Sequence, residues 1–134
     1  MQEKLILCDD LIVQINAYSS QCLPEEACGL IAGIGDRSQA FLPVTNELHS
    51  PSAFRMDPQE QLNAFLWIES QSLEVMAVFH THPNGPEIPS ATDIAEFFYP
   101  GVLSVIWTPV SMRAFYIQPS GFTEIPVVFF ESSN

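Results

Sequence analysis

Residues 75–82 (VMAVFHTH) constrain the fold of this chain more than any other stretch of its sequence. The first five are apolar without interruption, which is the pattern of a strand that is buried on both faces of a sheet. Two histidines follow, and Pro83 then breaks the strand. We therefore expect a strand that other elements cover on both sides and that carries polar side chains at its end.

Further strands and helices are indicated before and after this strand. Other strands are predicted over residues 4–8, two arms of a hairpin within 24–46, 103–107, 113–118 and 124–130. Gly35 and Asp36 form the hairpin turn, and Pro126 makes the last strand an edge strand or an interrupted one. Helices are predicted from an N-cap at Asp9 or Asp10 as far as Pro24, and over 91–98.

A third helix has the clearest start. Asp57 can cap it, Pro58 suits its first position, and Glu60 completes a capping-box arrangement with Asp57. The helix should run to about Ser70 or Ser72. Its buried side is expected to hold Leu62, Phe65, Leu66 and either Ile68 or Leu73. With about three helices and six or seven strands, the chain is predicted to be an α/β or α+β domain around one sheet.

The composition is that of a folded protein with an acidic surface. Its 134 residues suit one domain, which we place at 1–134. Four Lys and Arg against 16 Asp and Glu give a formal charge of −12, which disfavours binding to nucleic acid. This charge either attracts a basic partner or only keeps the protein soluble. No apolar run reaches the roughly 18 residues of a membrane span, and no signal peptide is recognisable. A soluble cytoplasmic protein is predicted.

Two histidines and an aspartate form a candidate metal site. His80 and His82 lie two residues apart at the end of a strand, so both imidazoles should point to the same side. Asp93, eleven residues after His82 in the first turn of the next helix, can fold back and add a carboxylate oxygen. Two histidines, one aspartate and an open position suit a catalytic zinc ion.

Two more residues are candidates for the chemistry. Water activated by zinc needs a base, and Glu26 lies at the mouth of the first hairpin strand, where it can accept a proton and pass it to a departing amine. Ser90 lies three residues before Asp93 and can donate a hydrogen bond to a developing oxyanion. Such donors contribute about 2.7–4 kcal/mol to transition-state stabilisation.

Each candidate also has a simpler interpretation. Ser90, Thr92 or Asp93 can cap the following helix, a role that does not exclude metal binding. Glu26, like Glu25, can be a solvated carboxylate before a strand. His49 is more simply a surface or structural histidine.

The cysteines indicate neither a disulfide framework nor a cysteine-rich zinc site. Cys8, Cys22 and Cys28 are odd in number and lack CxxC spacing, so buried thiols are predicted. A nucleophilic Cys28 paired with a histidine is the alternative, but its place within ACGLIAG favours packing.

Taken in order, these motifs resemble the JAMM (MPN-plus) metallopeptidase family. The chain carries PEEACGLIAG at 24–33, HTHP at 80–83 and PSATD at 89–93. That family has an upstream glutamate, then His-Ser/Thr-His, seven residues beginning with proline, Ser, two residues and Asp. The stretch FRMDPQEQL at 54–62 also resembles the small bacterial stand-alone members, so the resemblance covers roughly residues 5 to 110.

The resemblance implies a role for each candidate residue. It implies that His80, His82 and Asp93 bind zinc, that Glu26 rather than Glu25 is the general acid/base, and that Ser90 supports the tetrahedral intermediate. The implied fold is a curved mixed β-sheet flanked by helices, similar to that of the cytidine deaminases. A deaminase itself is disfavoured because its His-x-Glu and Pro-Cys-x-x-Cys motifs are absent.

The resemblance also implies a reaction and a partner. JAMM enzymes cleave peptide or isopeptide bonds at the C-terminus of ubiquitin or ubiquitin-like proteins, and small bacterial members process ubiquitin-fold sulfur carriers by releasing cysteine or a short tail. An extended tail would suit a groove between loops 46–57 and 84–88. Asn46, Phe54 and Met56 are candidates for that groove or for packing alone.

Other functions are less consistent with the sequence. A non-catalytic MPN scaffold that binds partners is disfavoured because the chain keeps all five site residues. A RadC-like domain linked to DNA repair is disfavoured by the charge of −12 and by the missing helix-hairpin-helix segment. Cleavage of ubiquitin chains is disfavoured because there is no space for the extra insertions. The sequence leaves the particular carrier and the oligomeric state open.

Overall fold

The protein is described here by a computed structural model of residues 3–131, which form eight strands and three helices. The strands are β1 (Leu5–Cys8), β2 (Cys28–Ile34), β3 (Arg37–Val44), β4 (Glu74–Thr81), β5 (Leu103–Thr108), β6 (Ser111–Gln118), β7 (Gly121–Ile125) and β8 (Val127–Phe130). The helices are α1 (Asp9–Cys22), α2 (Pro58–Ser70) and α3 (Ala91–Ala95).

All eight strands belong to one mixed sheet in the order β7-β6-β5-β4-β2-β3-β1-β8. β4 lies inside it, antiparallel to β2 and parallel to β5. The two edge strands, β7 and β8, are separated in sequence by Pro126 alone, which shows that the sheet is strongly curved. The predicted fold class, an α+β domain with a curved mixed sheet flanked by helices, is confirmed.

Hydrophobic clusters cover both faces of the sheet, and β4 contributes to each. Ala77 and Phe79 pack in the cluster that includes Leu11 and Ile15 of α1. Val78 packs in the other cluster, with Ala64 and Ile68 of α2 among others. The alternation of side chains along β4 therefore buries its apolar run from both sides, as the sequence predicted.

The prediction for α2 was wrong at two positions. Leu62 and Leu66 are 50% and 57% exposed. The side of the helix that faces the sheet is marked by Ala64 and Ile68, which are buried, and Leu62 and Leu66 lie well round the helix from it. The N-cap was predicted correctly: Asp57 Oδ1 accepts a hydrogen bond from Glu60 N, and proline follows Asp57. The capping box was wrong, because Glu60 Oε1 accepts from Thr45 N and Asp57 N donates to Thr45 O.

Other elements differ from the predictions at their ends. α1 begins at Asp9 itself, so Asp9 and Asp10 lie in the first turn, where negative charge favours the helix, and not at the N-cap. α3 ends at Ala95 and not near residue 98, because Phe97 leaves the helix to pack against Tyr99. The strand predicted over 124–130 is two strands on either side of Pro126, both at sheet edges, which raises the number of strands to eight.

The domain boundaries at 1–134 stay a prediction, since residues 1, 2 and 132–134 lie outside the described part of the chain. In the described part, no helix combines the length and the apolar character needed to cross a membrane.

Candidate metal centre

The end of β4 directs both histidines to one side. His80 lies opposite Cys28 of β2 and Ile106 of β5, and His82, just beyond the strand, still donates its backbone N–H to Trp107 O at 2.9 Å. Thr81 points to the opposite side, and its Oγ1 accepts a hydrogen bond from Ala27 N at 2.8 Å. The strand-like alternation therefore continues past the last residue of β4, and the two imidazoles meet as predicted.

Three side-chain atoms converge at this point. His80 Nε2 lies 3.0 Å from His82 Nε2 and 3.2 Å from Asp93 Oδ2, and His82 Nε2 lies 3.0 Å from the same oxygen. Ligands about 2.0 Å from a tetrahedral zinc ion are separated from each other by roughly 3.3 Å. The triangle is therefore close to the size that such an ion requires, and its two nitrogens and one oxygen suit zinc.

Asp93 is held in this position by the start of α3. Its backbone N–H donates to Ser90 Oγ at 3.0 Å, and its Oδ2 accepts from Ser90 N at 2.9 Å. This reciprocal pair is a capping box. Asp93 therefore caps the helix and approaches the histidines at the same time. The Ser90 oxygen accepts a hydrogen bond in this arrangement, so its hydroxyl proton is available for another acceptor.

The surroundings of the two histidines differ. His82 Nδ1 lies 2.8 Å from Pro86 O, so Nδ1 carries the proton and the neutral ring offers a lone pair at Nε2. Such a backbone contact on the far nitrogen is usual for metal-binding histidines. The ring of His80 stacks on Phe54 at 4.6 Å, and its Nδ1 is buried with no hydrogen-bond partner in the described structure.

Burial and charge set the protonation of the three groups. Burial lowers the pKa of His80 and outweighs the attraction of Asp93. Burial also acts to lower the pKa of His82, but contacts with Asp93 and the Pro86 carbonyl outweigh it and raise that pKa. Burial opposes ionisation of Asp93, yet hydrogen bonds with both histidines hold its pKa far below the ordinary value. Asp93 is therefore an anion with its charge directed at the two rings.

Glu26 lies just before β2 and faces the same site. It is 6% exposed, and it lines a cavity of about 440 Å³ together with His82, Ser90 and Asp93. We call this space the glutamate cavity. Burial, opposed by the charge of His82 and assisted by that of Asp93, raises the pKa of Glu26 from 4.5 to about 7. Its carboxyl group can therefore exchange a proton near neutral pH.

The loop over residues 45–57, here called the flap, is tied to Glu26 by its backbone. Glu26 N donates to Ser50 O at 2.8 Å, and Glu26 O accepts from Asn46 Nδ2 at 3.0 Å. Asn46 is buried, and it also donates to Ala53 O and accepts from Leu48 N and Arg55 N. Asn46 thus links the two ends of the flap to Glu26, and it does not line the glutamate cavity. Asn46 was a candidate for the groove, and this role was not predicted because its contacts span up to 20 residues.

A second cavity adjoins the glutamate cavity. It measures about 500 Å³, and its lining includes Phe54, Met56, Val78, Phe97, Tyr99 and Ser104. We call it the aromatic pocket. His80 also lines it, whereas Phe54 and Asp93 line both cavities. Phe54, which stacks on His80, therefore lies beside the candidate metal centre, and Met56 lines the same pocket.

The other two candidates, His49 and Cys28, have contacts that are typical of structural residues. His49 is exposed, and its Nδ1 lies 3.2 Å from Glu25 Oε1. Cys28 is fully buried, its Sγ lies 3.3 Å from Val44 O, and burial raises its pKa to about 12. A thiol in that state is a poor nucleophile, so the packing role favoured by the sequence agrees with its environment.

Comparison with protein families places this arrangement among known proteins. Residues 9–118 match the family described as prokaryotic homologs of the JAB domain. The chain belongs to this JAB family. The predicted family is thereby confirmed. The enzyme class of a JAMM-type metallopeptidase is confirmed by the triangle of His80, His82 and Asp93 together with the peptidase relatives that follow.

Curated relatives of this JAB protein include a peptidase and a protease that cleaves a protein conjugate, according to their names. The CysO-cysteine peptidase of Mycobacterium tuberculosis is 29% identical over 92% of this chain and 89% of its own length. A probable TtuB-protein conjugate cleaving protease of Thermus thermophilus is 34% identical over 83% and 74%. A desampylase of Pyrococcus furiosus is 41% identical over 52% and 49%.

Solved structures share the fold. The solution structure of a protein from Desulfitobacterium hafniense has a TM-score of 0.85 and 31% identity, over 96% of this JAB chain and 94% of the other. A JAB1/MPN domain protein from Archaeoglobus fulgidus has a TM-score of 0.59 and 19% identity, over 96% and 99%. The second likeness supports the fold alone.

Proposed function

We propose that this protein is a zinc-dependent peptidase that removes cysteine or a short extension from the C-terminal tail of a ubiquitin-like sulfur-carrier protein. The observation that carries the proposal is the convergence of His80 Nε2, His82 Nε2 and Asp93 Oδ2 within 3.2 Å of one another, beside the buried Glu26. The names of the relatives support the choice of substrate. A cytoplasmic location, expected from the sequence, is part of the same proposal.

In this proposal His80, His82 and Asp93 hold the metal ion. A zinc ion there supplies Lewis acidity, which polarises a carbonyl and lowers the pKa of a water molecule. The hydrogen bond from His82 Nδ1 to Pro86 O fixes that ring with its Nε2 lone pair directed inward. The Ser90 N–H bound to Asp93 Oδ2 holds the carboxylate against the two rings.

Glu26 and Ser90 act on the substrate. Glu26 takes the proton of the attacking water and gives it to the departing amine, a transfer for which a pKa near neutrality is well suited. The Ser90 hydroxyl donates to the substrate oxygen as negative charge develops there. It remains able to do so because its oxygen accepts the bond from Asp93 N and leaves its own proton available.

The test is cleavage of a purified sulfur-carrier protein that ends in Gly-Gly followed by cysteine or a short extension. Mass spectrometry should show release of the extension by the zinc-loaded protein and no release after chelation. Glu26→Gln should lower the rate at least about 100-fold, since general base catalysis contributes about 10²–10⁴.

Glu25→Gln is the matched control, because Glu25 is the neighbouring carboxyl and is paired with the exposed His49. It should keep the activity of the unmodified protein. Cleavage that persists in Glu26→Gln or after complete removal of the metal would refute the proposal.

A further inference from the structure

The aromatic pocket is larger than a tail of two glycines needs. Glycine has no side chain to fill it, and its volume of about 500 Å³ lies within the range of about 300–1,000 Å³ found for ligand sites. Met56, Val78 and Ser104 are buried residues of its lining. Phe97 and Tyr99, which follow α3, form an edge-to-face pair at 5.4 Å on another side. The pocket is therefore a preformed apolar space that borders His80 directly.

The position of Glu26 indicates which part of a substrate reaches this pocket. In the proposed function, on which this inference rests, Glu26 returns a proton to the departing amine. Glu26 and Ser90 line the glutamate cavity and are absent from the lining of the aromatic pocket. The departing part then lies on the side of Glu26, and the acyl part, which carries the carbonyl, extends into the aromatic pocket.

The lining also selects by charge. Apart from Asp93, which is a proposed metal ligand, Glu96 is its carboxylate, and its cation, Arg55, contacts Glu47 of the flap. An acidic side chain would meet like charge there, whereas an apolar one would meet aromatic and aliphatic carbon. Extended residues advance about 3.3 Å each, so the third residue before the cleaved bond lies roughly 7 Å from the first. That residue is the first in an X-Gly-Gly tail with a side chain to bury.

We propose that the aromatic pocket binds a bulky apolar side chain at the third residue before the cleaved bond, and that this residue distinguishes one carrier protein from another. Leucine or phenylalanine at that position places its side chain between Phe97, Tyr99 and Val78. Alanine leaves most of the space unfilled, and aspartate is repelled. Differences of this kind in an apolar pocket amount to about 10–200-fold in kcat/KM.

The experiment uses one carrier protein whose tail reads X-Gly-Gly-extension, with Phe, Leu, Ala or Asp at X. The zinc-loaded protein should cleave the Phe and Leu forms with kcat/KM at least about tenfold above the Ala form, and the Asp form should be slowest. Ser104→Phe, which fills the pocket, should remove this preference, so that the Phe, Leu and Ala forms are cleaved with similar kcat/KM. Ser104→Ala is the matched control, because it removes the hydroxyl and keeps the space, and it should keep the preference.

Two further measurements keep the test decisive. Tyr99→Ala removes a half-buried wall residue and its bond to Gln61 Nε2, so it should weaken the preference even if Ser104→Phe does not fold. Binding of the four tails to the Glu26→Gln variant, measured by calorimetry, reports on the pocket without cleavage. Cleavage of all four forms at equal kcat/KM would refute the proposed role of the pocket in substrate selection and would leave the proposed function standing. Tight binding of the Phe form without cleavage by the unmodified protein would support the pocket and refute the proposed function.

Discussion

At the scale of single residues, Glu26 combines burial with a carboxyl group that is not part of the metal triangle. Its pKa is raised to about 7 in the folded chain from an ordinary value of 4.5. The folded protein therefore holds this proton more tightly than the unfolded chain. Stability from this group is fully present below about pH 4.5 and is lost as the pH rises through 7.

Replacement of Glu26 by glutamine should remove this pH dependence in the metal-free protein. We expect the free energy of unfolding of Glu26→Gln to exceed that of the unmodified protein by about 1–3 kcal/mol at pH 8, and the difference to shrink as the pH falls towards 4.5. Urea unfolding at several pH values, after exhaustive chelation, measures this. A difference that stays constant across that range would contradict the assignment of a buried, readily protonated Glu26.

Asn46 offers a second test at a single residue. Asn46→Asp keeps an acceptor for the N–H groups of Leu48 and Arg55 but loses the donor to Glu26 O and Ala53 O. We expect a loss of about 1–3 kcal/mol in the free energy of unfolding and a fall in kcat of at least about tenfold, with zinc binding unchanged.

Asn63→Asp is the control for the added charge, because Asn63 lies exposed on α2. It should alter neither quantity. If the activity of Asn46→Asp per folded molecule equals that of the unmodified protein, Asn46 does not position Glu26.

At the scale of elements, the contact of β2 with its neighbours depends on two glycines. A Cβ atom on Gly33 would lie 2.1 Å from Arg37 O and 2.5 Å from Met76 Sδ, and one on Gly29 would lie 2.5 Å from Leu42 O. Backbone oxygens cannot move aside as a flexible side chain can. The close pairing of β2 and β3, which places Glu26 at the mouth of β2, therefore requires glycine at these positions.

Gly33→Ala should consequently destabilise the protein by about 2–4 kcal/mol. Gly35→Ala is the comparison, since a Cβ there meets nothing within 4 Å and only the positive φ of 63° is unfavourable. It should cost about 1–2 kcal/mol. Chemical denaturation of the two variants compares them, and equal losses would show that the steric conflict at Gly33 is relieved by movement of β3.

Contacts within one element or between neighbouring elements could be predicted from the sequence, whereas contacts between distant elements could not. The metal triangle was predictable because its residues lie within one strand, one loop and one helix start, where period-two alternation and capping act locally. The link from Asn46 to Glu26 was not, because it depends on how the flap folds back on β2. Leu62 and Leu66 were assigned to the core because apolar spacing does not reveal which side of α2 meets the sheet. The placement of Pro126 at a sheet edge was correct. That a single proline connects the two opposite edges could not be predicted, because it depends on the curvature of the whole sheet.

At the scale of the whole molecule, acidic charge is the dominant surface property. The arginines in the described part of the chain already have partners: Arg37 lies over Phe130, Arg55 contacts Glu47, and Arg113 lies near Glu87 and Glu124. The formal net charge of −12 already counts these arginines, and two of them, Arg55 and Arg113, lie beside carboxylates. A carrier protein with a basic surface would be attracted, and that attraction would weaken with salt.

The curved sheet and its two hydrophobic clusters place β4, the flap and α3 around one point, where we expect a metal ion to bind. The most direct measurement is the amount of zinc bound by the purified chain after dialysis against micromolar zinc, determined by elemental analysis. We expect about one zinc ion per chain for the unmodified protein and for the control His49→Ala, and almost none for His82→Ala or Asp93→Ala. An unmodified protein without zinc, or variants that bind as much zinc as it does, would show that His80, His82 and Asp93 do not form a zinc site.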